Sequence, residues 1–164
     1  MLRSSVLFIC VSFLASCALI LNPAPERFKR QFGKDATPIY VSGIMSTIHD
    51  RVLSKVKKCY EKQKRSQNNK AYYSSRFDKT ETHDYIYAVK SKERKGKRSI
   101  LVSYDKHIDG KKIEYNNTLI AVVTFTQESG KVAIMRYQKD KKIYEAIEAW
   151  ATGEGDHACP ELSF

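Results

Sequence analysis

Residues 119–137 have the sequence LIAVVTFTQESGKVAIMRY, in which two apolar runs flank a short polar segment. Both runs are rich in β-branched and aromatic residues, a composition that is typical of β-strands. The polar segment Glu128-Ser129-Gly130-Lys131 supplies turn residues, which predicts that the two strands pair antiparallel through a hairpin. An antiparallel sheet is therefore the first structural expectation for this chain.

Shorter runs of the same kind lie upstream and predict further strands at residues 72–77, 85–89 and 100–104. Turn residues follow the last two of these runs, at Lys95-Gly96-Lys97 and Asp109-Gly110-Lys111. Because each separator is short, we expect consecutive strands to pair antiparallel.

Helical periodicity precedes the strands. Apolar residues recur there at four-residue spacing, at Ile44, Ile48, Val52 and Val56. Thr47 and Asp50 resemble a capping box, and the polar residues 64–69 predict a loop after the helix. Residues 143–150 predict a short C-terminal helix. The predicted fold class is α+β, with one N-terminal helix packed on an antiparallel sheet and a short C-terminal helix.

The first residues predict a secretory signal peptide. Arg3 precedes an apolar stretch shorter than the ~20 residues of a transmembrane helix, and Ser16 and Ala18 favour a cut after residue 18. A later cut, up to residue 24, is an alternative, as are a membrane anchor and an acylated Cys17. Residues 19–38 are predicted to form a leader, and residues 39–164 a single domain with a C-terminal extension from residue 138.

The leader contains Arg27-Phe28-Lys29-Arg30, which has the R-x-K-R spacing that subtilisin-like convertases cleave. Each basic side chain of such a site fills one carboxylate-lined subsite of the protease. A basic linker with no processing is the alternative interpretation.

Length and charge limit the classes of function. A chain of 164 residues excludes a multidomain enzyme, and its formal net charge of +11 favours acidic partners. Phosphate backbones, anionic lipids and acidic protein surfaces all satisfy that condition.

Two cysteines remain once the signal peptide is removed. Cys59 and Cys159 are predicted to form a disulfide in an oxidising compartment, and two free thiols are the alternative. Asn116-Asn117-Thr118 is a glycosylation acceptor sequence, which predicts a surface turn with a glycan at Asn116.

Several motifs resemble the small fungal guanyl-specific ribonucleases. Tyr73-Ser74-Ser75-Arg76-Phe77 lies where that family has Tyr-Pro-His-x-Tyr, with Tyr73 fourteen positions after Cys59. Residues 84–89 resemble the strand Tyr-Tyr-Glu-Phe-Pro-Ile. Residues 119–126 with Ser129-Gly130 resemble Leu-Ala-Gly-Val-Ile-Thr-His-Thr with Ser-Gly. The resemblance covers residues 40–137; the segment 104–118 is longer than its family equivalent, and residues 138–164 have none. The family fold is one helix packed on an antiparallel sheet.

The resemblance predicts a protein without ribonuclease activity. RNA cleavage by transphosphorylation requires a base, an acid and a cation. The family supplies them from Glu or His, a second His, and Arg, but Ser75, Ile86 and Phe125 occupy the proton-transfer positions here. Tyr73 and a cation from Lys97 or Arg98 persist. We expect no catalytic residues, no metal and no cofactor.

The histidines are not expected to replace the missing groups. The chain has four, His49, His83, His107 and His157, which we predict to be surface residues.

Secreted, non-catalytic ribonuclease scaffolds are similar to the RNase-like effectors associated with haustoria of powdery mildew fungi. In that family a Tyr-x-Cys motif follows the signal, whereas this chain has Tyr40-Val41-Ser42. The departure leaves Cys59 as the partner for Cys159. The resemblance implies a monomer that enters the host cytoplasm and suppresses immunity by binding host RNA, ribosomes or a defence protein. Recognition by a plant immune receptor is also implied; DNA binding and stable membrane association are not.

Basic residues around the turn at Gly96 predict an RNA-binding surface. The candidates are Lys90, Lys92, Arg94, Lys95, Lys97 and Arg98, with Tyr73 as a stacking ring. The alternative is a solvated hairpin whose charges protect a sheet edge.

A secreted inhibitor of the cystatin type is the competing class of function, since cystatins also wrap a sheet around one helix. Ser42-Gly43 before the helix and Tyr60 within it agree with that pattern. The Gln-x-Val-x-Gly motif of cystatins does not occur in the sequence.

Overall fold

A computed structural model describes residues 25–33, 36–72, 78–138, 141–154 and 157–161, without the side chains of residues 70–72, 78, 79, 114–117 and 141. The helices are α1 (Pro25–Phe32), α2 (Met45–Tyr60) and α3 (Lys141–Thr152). The strands are β1 (Ile39–Ser42), β2 (Lys64–Tyr72), β3 (Asp78–Arg94), β4 (Lys97–Ile108), β5 (Lys111–Glu128) and β6 (Lys131–Gln138). The α+β class with an antiparallel sheet is confirmed. In the described ranges, no helix combines the length and the apolar character needed to cross a membrane.

The six strands form one sheet in the order β1-β6-β5-β4-β3-β2, and every neighbouring pair is antiparallel. Three of its hairpins close through Lys95-Gly96, Asp109-Gly110 and Ser129-Gly130, in which both residues have positive φ. This is the two-residue turn whose twist matches that of the strands. The turns predicted from sequence are thus confirmed at all three places.

Helix α2 packs against one face of the sheet through three of the four residues of the predicted apolar stripe; Ile44 precedes the helix and is 70% exposed. Ile48, Val52 and Val56 are fully buried, and Ile147 and Trp150 of α3 complete the same core. The predicted capping box is wrong, because Ile44 is the N-cap residue and makes no side-chain cap hydrogen bond. The helix begins at Met45, whose backbone N–H donates to the Gln127 side chain at 3.1 Å.

The predicted loop at residues 64–69 is wrong, because these residues belong to β2. The strand pairs with β3 from Lys64 opposite Ile86 to Tyr72 opposite Asp78. An outer strand of this kind is polar on both faces, so it lacks the hydrophobic alternation from which a strand is predicted. Residues 104–118 likewise extend β4 and β5 rather than form a loop, with register shifts near Ser103 and Asp105. Asn116 lies within β5 rather than at a turn; its side chain is outside the described set.

Helix α1 lies on the sheet face opposite α2, within the predicted polar leader. Its Phe28 is 2% exposed, and the helix contacts β5 and β6. The prediction of a single helix before the sheet was therefore incomplete. Residues 1–24, with the predicted signal peptide, lie outside the described residues.

Cys59 and Cys159 form a disulfide, as predicted. The bond joins the last turn of α2 to the C-terminal segment, where the Tyr60 hydroxyl donates to the Pro160 carbonyl at 3.0 Å. It closes a sequence separation of 100 residues.

Replacing both cysteines, Cys59→Ala with Cys159→Ala, should lower the free energy of unfolding by about 4 kcal/mol, because the open chain gains conformational entropy when it unfolds. The measurement is the urea midpoint under non-reducing conditions. Reductant should destabilise the natural protein and leave the variant unchanged; an unaltered midpoint in the variant would contradict this prediction.

Asp84 connects β3 to β2 and yields a second prediction. The Ser66 hydroxyl donates to its carboxylate at 2.6 Å and Lys64 Nζ lies 2.9 Å away, contacts that lower the pKa of Asp84 below 3.8. A lowered pKa stabilises the fold above the pKa of the unfolded chain, and this stabilisation is lost as pH falls through the folded value. Asp84→Asn should therefore be less stable than the natural protein at pH 7 and lose less stability on acidification to about pH 3. Urea midpoints at both pH values test this, with Glu128→Gln at the exposed end of β5 as the charge-matched control.

Candidate nucleic-acid interface

The sheet face opposite α2 changes from cationic to apolar across three strands. On β3 it carries Lys90, Lys92 and Arg94, which are directly opposite Leu101, Ser99 and Lys97 of β4. Leu101 and Ser99 are in turn opposite Val122 and Thr124 of β5. Cations thus occupy β3, and hydroxyl and aliphatic side chains occupy the central strands β4 and β5.

A groove of about 760 Å³ lies on this face between α1 and the β3–β4 hairpin. Its floor is formed by Ser99, Leu101, Val122 and Thr124, and the lining side chains from the two sides are Pro25, Glu26, Lys29, Lys92, Glu93, Arg94, Lys95 and Lys97. Five cations therefore face two carboxylates, so the groove favours an anionic ligand. Leu101 and Val122 are 7% and 0% exposed, so they close the floor of the groove beneath the charged side chains.

The structure brings together four of the six predicted basic residues. Lys92, Arg94, Lys95 and Lys97 line the groove, and Lys90 lies on the same face one pair further along β3. Arg98 is on the opposite face, where its Nε donates to Glu93 at 3.0 Å and its Nη1 lies 3.7 Å from Asp50. Tyr73 lies outside the described residues.

Sequence reasoning missed Lys29 as a groove residue. The residue belongs to the R-x-K-R motif, which we interpreted as part of a leader. The usable signal was the four-residue spacing of Phe28 and Phe32, whose rings lie 4.7 Å apart on α1.

The positions that match the ribonuclease motifs do not all converge. Arg98 and Phe125 are cross-strand partners on the α2 face, and Phe125 is fully buried. Ile86 is the cross-strand partner of Asp105, whereas Arg98 is the partner of Glu93. Ile86 and Glu93 are seven residues apart on β3, or roughly 23 Å. Side-chain alternation places Ile86 on the other face, since the adjacent Tyr87 belongs to the α2 core. Tyr73 and Ser75 lie outside the described residues.

His49 is a core residue, which corrects the prediction of a surface histidine. It is 3% exposed, and its ring meets Phe125 edge-on with centroids 5.3 Å apart. Its Nδ1 lies 2.7 Å from an Asp50 carboxylate oxygen and its Nε2 lies 3.0 Å from Ser91 Oγ. The tautomer with hydrogen on Nδ1 satisfies both contacts, because the Ser91 hydroxyl then donates to Nε2.

This serine–histidine–aspartate chain has the atom order of a hydrolase triad, but its carboxylate environment differs. Asp50 is 66% exposed and also neighbours Arg98, whereas a hydrolase triad buries its carboxylate. The chain instead joins α2 to β3 three residues before the end of that strand. It therefore holds the part of β3 that leads into the hairpin bordering the groove.

The remaining histidines lie in three different environments. His83 lies between Glu81, at 3.2 Å, and Asn69, at 2.7 Å, and is largely buried, so the surface prediction is wrong for it as well. His107 is directly opposite Asp84, and His157 is exposed. Within the described part of the chain, no group of three histidine, cysteine or acidic residues is placed to hold a metal ion.

No protein-family model, curated protein or solved structure matches this chain. Its functional interpretation therefore depends on the motifs and on the groove.

Ser91→Ala should lower the free energy of unfolding by about 1–3 kcal/mol, because it leaves a buried imidazole nitrogen without its partner. Lys90→Ala, at the preceding and outward-facing position, should change it by no more than about 0.5 kcal/mol. Urea denaturation of both variants provides the comparison. Equal effects would show that the His49 contact contributes nothing to stability.

Proposed function

We propose that this protein is a secreted, non-catalytic effector of a plant-pathogenic fungus, built on a ribonuclease-like scaffold, that binds host RNA through the groove and suppresses immunity in the host cytoplasm. The observation that carries the binding proposal is the row of hairpin cations along one side of the groove. The effector role is supported by the sequence motifs and by the signal-peptide pattern.

Single-stranded RNA fits the groove better than the other acidic partners. Cations two residues apart on one strand project to the same face about 6.6 Å apart, so Lys92 and Arg94 can contact successive phosphates. Leu101 and Val122 close the floor beneath these cations. Binding of single strands without sequence preference begins with a positively charged groove that follows the phosphate backbone, and the hairpin cations supply that charge.

A binding role is favoured over catalysis by the chemistry of the lining residues. Lysine, arginine, serine and threonine dominate the described lining, and no histidine is among them. Ile86 lies on the sheet face opposite to that of Arg98 and Phe125, which argues against a surviving catalytic pocket. We therefore assign RNA binding to the groove cations and not to the ribonuclease-matched positions.

Lys95→Glu with Lys97→Glu should weaken binding of a labelled single-stranded RNA by about tenfold or more, because two phosphate contacts are lost. The slope of log affinity against log salt should also become shallower by about 1.4. Fluorescence anisotropy over a salt series measures both quantities.

The matched control is Lys58→Glu with Lys111→Glu, which makes the same charge change at exposed sites away from the groove. Arg98→Gln distinguishes the groove from the cluster predicted by sequence, since Arg98 is on the opposite face. Binding that falls equally in the hairpin variant and in the control would reduce the interaction to net charge and reject the groove.

A further inference from the structure

Helix α1 forms one side of the groove and carries the convertase motif. Arg27 and Arg30 are exposed, Lys29 is half-buried, and Phe28 is the fully buried residue that holds the helix on the sheet. A helix of eight residues is marginal without tertiary contacts, so undocking of Phe28 favours its unwinding. The unwound segment is the extended form that a protease binds.

Beneath α1, the groove floor continues to an aromatic ring. Tyr137 of β6 is the cross-strand partner of Val122, which is the partner of Leu101, so the three form one row across the sheet. Lys29 Nζ lies 5.8 Å from the centre of the Tyr137 ring. A Cβ atom at Gly33 would lie 2.8 Å from that ring, which shows how closely the end of α1 approaches it.

We propose that α1 is a removable cover, and that cleavage after Arg30 by a subtilisin-like convertase opens the groove into a wider RNA-binding face that includes Tyr137. Water hydrolyses the peptide bond between Arg30 and Gln31, leaving a carboxylate on Arg30 and an amine on Gln31. The exposed Tyr137 ring then stacks an RNA base beside the aliphatic row. This inference rests on the proposed RNA-binding function.

Charge and stacking predict opposite effects of the cleavage. Residues 25–30 contain three cations and one carboxylate, so their loss reduces the positive charge near the groove. Electrostatics alone therefore predicts weaker RNA binding after cleavage. The uncovered Tyr137 ring predicts tighter binding.

The experiment treats the full, disulfide-bonded chain with a subtilisin-like convertase and measures binding of single-stranded RNA before and after. Mass spectrometry should show a new N-terminus at Gln31, and affinity should rise about tenfold. The cleaved Tyr137→Leu variant should show no rise, and Arg30→Gln should be neither cut nor activated. Phe28→Ser, which undocks α1 without cleavage, should reproduce the gain in a chain whose near-ultraviolet circular dichroism confirms folding.

The outcomes separate this inference from the proposed function. A chain that resists cleavage at Arg30, or binds RNA no better after it, overturns the cover while the effect of Lys95→Glu with Lys97→Glu still supports the groove. Failure of every form to bind RNA overturns the proposed function itself.

Discussion

Burial of β5 on both of its faces is the constraint on which the rest of the structure depends. Val123 and Phe125 face α2 and α3, while Val122 faces the other way, and all three are essentially inaccessible to water. A strand of this kind needs a cover on each side of the sheet, because burying each such side chain contributes about 1.5–3 kcal/mol. α1, which contacts β5 and β6, provides the second cover. The groove therefore exists because the second cover is narrower than the sheet.

The polar contacts behind the hairpin explain how its cations are held at the edge of that cover. His49 links α2 to Ser91, and Arg98 lies between Glu93 and Asp50 on the same side. These contacts hold the face of the hairpin that is turned towards α2. The side chains of Lys92 and Arg94 lie on the other face of the hairpin, where they line the groove.

Short sequence patterns predicted those parts of the fold in which the residue types strongly favour one backbone conformation or burial. The apolar spacing of α2 and the glycine turns predicted their elements correctly, since burial and positive φ allow few alternatives. β2 was not predicted because a polar outer strand shows no hydrophobic alternation. α1 was not predicted because its one fully buried residue, Phe28, lies in a basic motif that we interpreted as a convertase site in a leader.

The candidate site was only partly predictable for a related reason. Sequence places six cations near one turn, but alternation along β3 and β4 sends Arg98 to the face opposite Lys97. The uninterrupted apolar run at residues 119–123 agrees with a strand buried on both faces, although we predicted only a strand there and no second cover. His49 shows the limit of that reasoning, because only the fold supplies the partners that allow a histidine to be buried.

The register of β2 against β3 has a consequence for self-association. β2 begins opposite Ile86, so within the described residues β3 continues from 88 to 94 with no strand on its outer side. Such an unpaired margin invites strand addition by a second copy, and lysines are a common natural defence against it. Two such margins repel one another, and this repulsion fades with added salt over a screening length of about 10 Å at 0.1 M. The charges of the hairpin thus oppose self-association at this margin in addition to lining the groove.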